Sequence, residues 1–485
     1  MSLNSAMIQA LSGLQAMSRS AGVVSNNLAN ALTEGYGRQE VELTARSTGG
    51  QGSGVTVSSI QRLVDQVVIN DRRLADGAVA DSSVRSAFLE TISAVLGEPG
   101  SGSSLTDLMG ALGASLIEAA ARPESDAALG HVVTAFSDVV AVLNDASDQV
   151  ERQRTDADRS IAKGVETLNL SLQMVDDLNS QIARLQAGGN DANALIDQRQ
   201  VLIDRISEIV PVKQVERDTG AIALMTQNGA ILLDAEPAEI GFSQSSLVTA
   251  HMTYEGGTLS GLTIKGTAID LTRDNHALSG GALGGHLSVR DELGVAVQSE
   301  LDAFARDLVE RLSDPAVDAT LPTGAPGLLT DGGGVFDPLD EAGLAGRLSL
   351  NPFVDPLAGG EVWRIRAGLG AATPGDSGQS ALLDRLSSAL DTQVAPGSGS
   401  YSHQPMTASQ HATELLSSVG MQTQRVEADL AHRQARLDVL SDQELATGVD
   451  SDVEMQRLLV IERAYAANAR VIETVEQMFD SLLRI

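Results

Sequence analysis

Apolar residues recur at alternating steps of four and three along two stretches set far apart in this 485-residue chain. That is the period of helices packed side by side, and it constrains the fold more than any other feature. In residues 2–31 the seam is Leu3, Met7, Ala10, Leu14, Met17, Ala21, Val24, Leu28 and Ala31. No Pro interrupts it, and Arg19 is the only charge before Glu34. In residues 453–485 the seam is Leu458, Ile461, Tyr465, Asn468, Ile472, Val475, Phe479 and Leu482. A second seam runs beside it: Val460, Ala464, Ala467, Val471, Thr474, Met478, Ser481 and Ile485. Together they make an apolar stripe wider than a two-stranded coil uses, so this helix needs more than one neighbour. An amphipathic helix folded onto an ordinary core would also satisfy the pattern. The placement of both helices at the extremities tilts the reading toward assembly. Asn468 is the lone polar member of its seam; it either fixes register or lies at the margin of the stripe, and we expect the margin.

Composition removes several classes of function. There is no Cys, hence no disulfide, thiolate metal site or Cys nucleophile. The formal charge is −31 and Lys occurs only at 163, 213 and 265, so neither nucleic acid nor an anionic membrane is expected as a partner. Aromatics are 2% of the chain, which leaves aliphatic cores and long or layered elements. No uninterrupted apolar run of the length that spans a bilayer is present. The first helix lacks the basic start and apolar block of a cleaved secretory signal, so we expect it to be retained.

Between the seams the chain changes period several times. Gly35-Tyr36-Gly37 ends the first helix, and Val41–Leu43 and Val55–Val57 alternate as short strands around a Gly/Ser-rich loop at 47–54. A helix is expected from about Ile60 to a break at Glu98-Pro99-Gly100. The longest regular pattern runs from Phe136 to Leu185, with Arg154 and Gly164 as weak points and a kink plausible at Gly164. Gly188-Gly189 stops it, Asp191 or Asn193 can cap the next helix, and Pro211 ends that one, giving an antiparallel hairpin. Strands follow at Val212–Val215, Ile222–Thr226 and Ile231–Leu233, with more in 247–272. Gly280–Gly285 leads into a helix with Leu293, Val297, Leu301, Phe304, Leu308 and Leu312 inward. Residues 315–400 are rich in Pro and Gly with strand-like pieces such as Val362–Ile365, and helix returns from about Ser409 to Leu440. The fold class is mainly α with β-rich inserts.

Ser25-Asn26-Asn27-Leu28-Ala29-Asn30, with Thr33, Gly35, Tyr36, Arg38 and Gln39, resembles the N-terminal signature of the bacterial flagellar axial proteins, the rod, hook and hook-associated family. Ala464-Tyr465-Ala466-Ala467-Asn468-Ala469-Arg470 followed by Met478-Phe479-Asp480 resembles the C-terminal signature. The Gly-Tyr-x-Arg-Gln form, and a hairpin at Leu178–Ile182 and Asn193–Arg199, narrow the likeness to the hook–filament junction branch. Leu32, Glu34, Gln200 and Glu462 depart from the family pattern without removing a seam residue. The resemblance implies an elongated multidomain axial protein. Residues 1–44 with 446–485 would form a terminal helical core domain, paired as a coiled coil. Residues 45–210 with 281–314 and 405–445 would form a helical rod domain, 211–280 a small β-rich insert, and 315–404 an outer β/loop module. It implies a ring homo-oligomer joining hook to filament, contacting the hook protein and a second hook–filament junction protein. It also implies an export chaperone on the C-terminal helix and an extracellular location in the flagellum.

Physically, Asn26, Asn27 and Asn30 crowd one end of the first helix, where their side chains can bond freed carbonyls or a neighbouring subunit. Helix termination before a Gly-Tyr turn accounts for Gly35 and much of the Asn cluster without any partner. No catalytic constellation is legible: the seven His are scattered, and no nucleophile elbow or phosphate loop occurs. Gly280–Gly285 is not a dinucleotide fingerprint, and Asp331–Asp337 is an acidic glycine loop without the ligand alternation of a calcium site. No cofactor, no metal and no enzymatic activity are expected. The rivals are a hook or distal-rod protein, a secreted hydrolase borne on axial-type ends, and a membrane-active translocator.

Overall fold

The computed structural model describes residues 3–48, 51–273 and 275–483. Ser2 of the first stretch, Ile485 of the second C-terminal seam and Gly49-Gly50 of the expected loop lie outside them. Helix α1 (Leu3–Ala29) is followed by an antiparallel hairpin, β1 (Arg38–Thr48) and β2 (Gln51–Leu63), much longer than the expected short strands. The hairpin lies along α1: Gln9 Nε2 donates to Gly52 O (2.7 Å), and Val55 N to Ser12 Oγ (3.1 Å). Helix α2 (Gln66–Leu96) therefore starts later than expected. Residues 60–63 pair with 38–41 in the hairpin, and Asp65 caps α2 by accepting from Val67 N and Val68 N.

Helices α3 (Leu105–Ala121), α4 (Asp126–Ala187) and α5 (Asn193–Ile209) follow. The 62 residues of α4 run unbroken through Gly164, about 93 Å at 1.5 Å per residue. Arg154, a weak point of the pattern, is fully buried: its guanidinium donates to the carbonyls of Arg290 (2.8 Å), Thr249 (3.1 Å) and Met252 (2.5 Å). One 18-residue window of α4 is apolar enough to cross a membrane (mean hydropathy 1.5). Its helix packs Leu129, Val132, Phe136, Val139 and Leu143 into the main core.

Sheet β3 (Val212–Glu216), β4 (Ile222–Thr226) and β5 (Ile231–Leu233), and the smaller β6 (Ile240–Gly241), β7 (Thr263–Ile264) and β8 (Thr267–Ala268), cover the distal half of α4. Two Asn on α4 mimic a strand edge: Asn179 exchanges hydrogen bonds with Ile222 (2.9 and 3.2 Å) and Asn169 with Ile240 (2.8 and 2.9 Å). Helix α6 (Gly281–Ser288) and α7 (Gly294–Leu312) are joined by a π turn at Val289–Leu293. Gly281 sits at φ 66° against α5, where a Cβ would lie 2.2 Å from Ile209 O.

Residues 313–407 hold β9 (Leu329–Asp331) paired with β10 (Leu348–Leu350), short helices α8 (Leu344–Arg347) and α9 (Arg364–Ala367), and α10 (Ala381–Asp391). Val362–Ile365 is thus not a strand; it leads into α9. Leu328, Leu344, Leu348, Ile365, Leu383 and Leu386 share one core with Leu112, Phe136, Leu301, Phe304 and Leu415, so this segment caps the helices instead of standing apart. Three Asx-Pro turns in it hold an apolar residue outward. Leu339 N donates to Asp337 Oδ1 (3.0 Å), Phe353 N to Asn351 Oδ1 (3.1 Å) and Leu357 N to Asp355 Oδ1 (2.9 Å). Leu339 and Leu357 are 95% and 98% exposed.

Helix α11 (Ala408–Thr447), started by a Thr407/Gln410 capping box, runs antiparallel to α2 through Ser82–Asp429 (2.9 Å) and the Arg72–Glu444 ion pair. Helix α12 (Ser451–Leu483) follows after three residues and packs antiparallel on α1.

Candidate assembly site at the signature turn

The end of α1 is built by its own Asn residues. Asn30 N and Nδ2 donate to Asn26 O (3.0 and 2.9 Å), and Thr33 Oγ1 to Asn30 Oδ1 (3.3 Å). Gly35 then turns at φ 74°, so close to α5 that a Cβ would lie 2.6 Å from Val201. The chain reverses and returns past the helix as β1.

Asn27 holds the reversal together and is fully buried. Its Oδ1 accepts from Tyr36 Oη (2.8 Å) and Gln39 N (2.9 Å); its Nδ2 donates to Gln39 O (2.9 Å) and to Glu454 Oε2 (3.3 Å). Glu454 is 1% exposed, a charge buried at the start of α12. Its carboxylate is met by Arg457 Nη1 (3.3 Å) and by Arg38 Nε at 3.9 Å, an ion pair too long for a hydrogen bond. A buried carboxylate is tolerated only with such partners.

A second carboxylate ties the turn to the helical body. Asp197 on α5 accepts from Arg62 Nε (2.7 Å) and Gly37 N (3.1 Å), while Arg62 Nη2 donates to Gly35 O (3.0 Å). Burial raises the Asp197 pKa, opposed by Arg62. Burial, with Asp197 and Glu454 nearby, pushes the Tyr36 phenol up to about 12, so it donates to Asn27 across the physiological range. One layer further in, buried Arg73 donates to Asp204 (2.6 Å), and Arg72 bridges Asp204 (2.9 Å), Asp76 and Glu444, joining α2, α5 and α11.

Of the expected signature residues, Asn27, Tyr36, Arg38 and Gln39 meet in this cluster; Asn26, Asn30 and Thr33 form the helix end, and Gly35 the turn. Along the pairing face Val24 and Val475 are buried, and Leu3, Leu14, Met17, Leu458, Ile461, Asn468 and Ile472 are half-buried. Met7, Leu28, Tyr465, Phe479 and Leu482 remain exposed, as do Val460, Val471 and Met478 of the second stripe. Asn468 lies opposite Gly13, where a Cβ would come within 2.9 Å of its amide, and its Nδ2 donates to Ala464 O (3.0 Å). It therefore faces α1 and does not lie at the margin. Glu454, Arg62 and Asp197 escaped the sequence reading. The signal for Glu454 was available: it stands four residues before Leu458, where the seam would continue, and a charge there needs partners. Among the described residues no group of three His, Asp or Glu could hold a metal ion. The cluster's chemistry is hydrogen bonding and charge pairing that fix one backbone geometry.

Residues 89–316 match the family described as flagellar hook-associated protein FlgK helical domain, and residues 446–485 match flagellar basal body rod FlgEFG protein C-terminal. The flagellar hook-associated protein 1 of Bacillus subtilis is 22% identical over 97% of this chain and 96% of its own length. That of Escherichia coli is 24% identical over 100% of both. That of Salmonella typhimurium is 29% identical over 49% of this chain and 44% of its own. The solved flagellar hook junction protein FlgK from Burkholderia pseudomallei is 18% identical, with a TM-score of 0.43 over 54% of this chain and 46% of that one. Two matched segments and end-to-end similarity converge: the chain is similar to flagellar hook-associated protein 1 along its whole length.

Proposed function

We propose that this chain is a structural subunit of the bacterial flagellum that stands at the hook–filament junction and works mechanically, not catalytically. The observation that carries the reading is the similarity to hook-associated protein 1 along the whole chain. The matched helical domain at 89–316 favours it over a hook or distal-rod protein. The geometry is in keeping with assembly. Helices α1 and α12 pair with each other and still leave Val460, Val471, Met478 and Leu482 exposed, a stripe that neighbours can cover. On this reading the terminal pair is the axial core, the body around α4 is the rod, and the segments at 211–280 and 315–404 face outward. Copies form a ring between the hook protein and a second junction protein. Before assembly an export chaperone masks the α12 stripe, and the chain leaves the cell without cleavage of its first helix. Deleting its gene in the parent bacterium and imaging the cells tests this. Hooks without filaments, with flagellin shed into the medium, are expected; intact filaments would overturn it.

A further inference from the structure

We infer that Glu454 selects the register in which α12 pairs with α1. The apolar seams cannot do this alone. Both repeat every seven residues, so sliding one helix by a heptad, about 10.5 Å, still sets apolar against apolar. Two contacts break the degeneracy. Glu454 meets Asn27, and Asn468 meets Gly13. Asn27 lies 14 residues after Gly13 and Asn468 lies 14 residues after Glu454, so both contacts belong to one antiparallel register, two heptads apart.

Slipping in one direction carries Glu454 from Asn27 to Ser20, away from Arg38, with its carboxylate still against α1. Slipping in the other carries it beyond Ala29, toward Glu34, another carboxylate. Either slip also takes the Glu454 acceptor from the buried Asn27, whose bonds to Gln39 and Tyr36 stay in place. Arg457 moves with Glu454, but either slip leaves the buried carboxyl without Asn27 and Arg38; a buried polar group short of its partners is the costliest of these losses, so Glu454 is the stronger pin and the Gly13–Asn468 fit the weaker. The pin belongs to the folded chain; its consequence for assembly rests on the function proposed above.

The absence of Cys makes the register directly readable. In the same register Ala464 stands opposite Met17, and a one-heptad slip sets it opposite Ala10 or Val24 instead. Full-length chains carrying Ala464→Cys with Met17→Cys, Ala10→Cys or Val24→Cys are oxidised in dilute solution. Otherwise unaltered, the 17/464 pair should close and the other two should not. With Glu454→Leu added, the ratio of 17/464 to slipped disulfide should fall about tenfold or more. Glu454→Gln keeps an acceptor for Asn27 and should hold the 17/464 pair; helical content, followed by circular dichroism, should be unchanged in both. Equal closure of all three pairs in the unaltered background would overturn the inference. So would an unchanged ratio in Glu454→Leu, or slippage equal in Glu454→Leu and Glu454→Gln. Loss of filaments with register intact would leave it standing.

Discussion

Replacing Asn27 with Ala should detach the terminal helices locally while leaving the body folded. Asn27 is fully buried and makes four hydrogen bonds. The Tyr36 hydroxyl is only partly covered and can find water, so its loss is cheap. Gln39 is 7% exposed, and its N–H and C=O would be left without partners. Glu454 would lose one donor while staying buried. A buried polar group left unpaired costs about 1–3 kcal/mol, so a local loss of about 3 kcal/mol is expected. At 1.4 kcal/mol per factor of ten, amide exchange at Tyr36–Val41 and Glu454–Ile461 should speed up about 100-fold. Hydrogen exchange read by mass spectrometry follows this peptide by peptide, with Leu129–Val150 of α4 as the internal standard. Asn26→Ala is the control: Asn26 is exposed and its side chain accepts from Asn30 at the helix end, so exchange should change little. Unchanged exchange at 36–41 in Asn27→Ala, equal acceleration in Asn26→Ala, or equal acceleration in α4 would refute the reasoning.

Other consequences are as concrete. Asp302 on α7 accepts from Gly343 N and Ala345 N (both 2.8 Å), yet burial raises its pKa from 3.8 to about 6. Its stabilising contribution is therefore full below pH 3.8 and lost as pH rises through about 6. The stability of the parent relative to Asp302→Asn should fall by about 3 kcal/mol between pH 3.5 and 7, measured by urea titration at each pH; a flat difference would contradict this. Gly281→Ala places a methyl group on the Ile209 carbonyl at a positive φ and should lower stability by about 2 kcal/mol or more in the same assay. Leu339→Ser and Leu357→Ser should leave the melting temperature unchanged, because neither side chain touches the core.

Periodic elements were legible and compensated ones were not. The heptad from Phe136 to Leu185 marks α4 because one face of it is apolar throughout. Pro211 and the change to period two place β3 to within a residue. The hairpin was underread because Arg38–Glu40 and Gln61–Leu63 look neither alternating nor apolar; their pairing comes from lying along α1. Gly164 suggested a kink, but its neighbours Ile209 and Leu283 stand 3.8 and 3.9 Å from where a Cβ would be, and the helix continues. Arg154 read as a flaw in the seam; it is a buried hub for three carbonyls that come from residues some 95 to 136 positions away. The same holds at the site. Asn27, Tyr36 and Gln39 could be seen as a group because they are neighbours in sequence. Their partners could not: Asp197 lies 160 residues from Gly37, and Glu454 lies 427 from Asn27.

That last separation bears on how the chain folds. Closing a flexible loop of 427 residues costs about 5 kcal/mol in chain entropy, before any contact is made. The α2–α11 pairing removes most of it. Once Arg72 meets Glu444, only eight residues (64–71) separate it from the end of β2 at Leu63, and only six (445–450) separate Glu444 from the start of α12 at Ser451. Helices α1 and α12 then find each other as near neighbours. The body of the protein is thus a template for its terminal pair. The pair should be the last element to form on refolding and the first to open on unfolding.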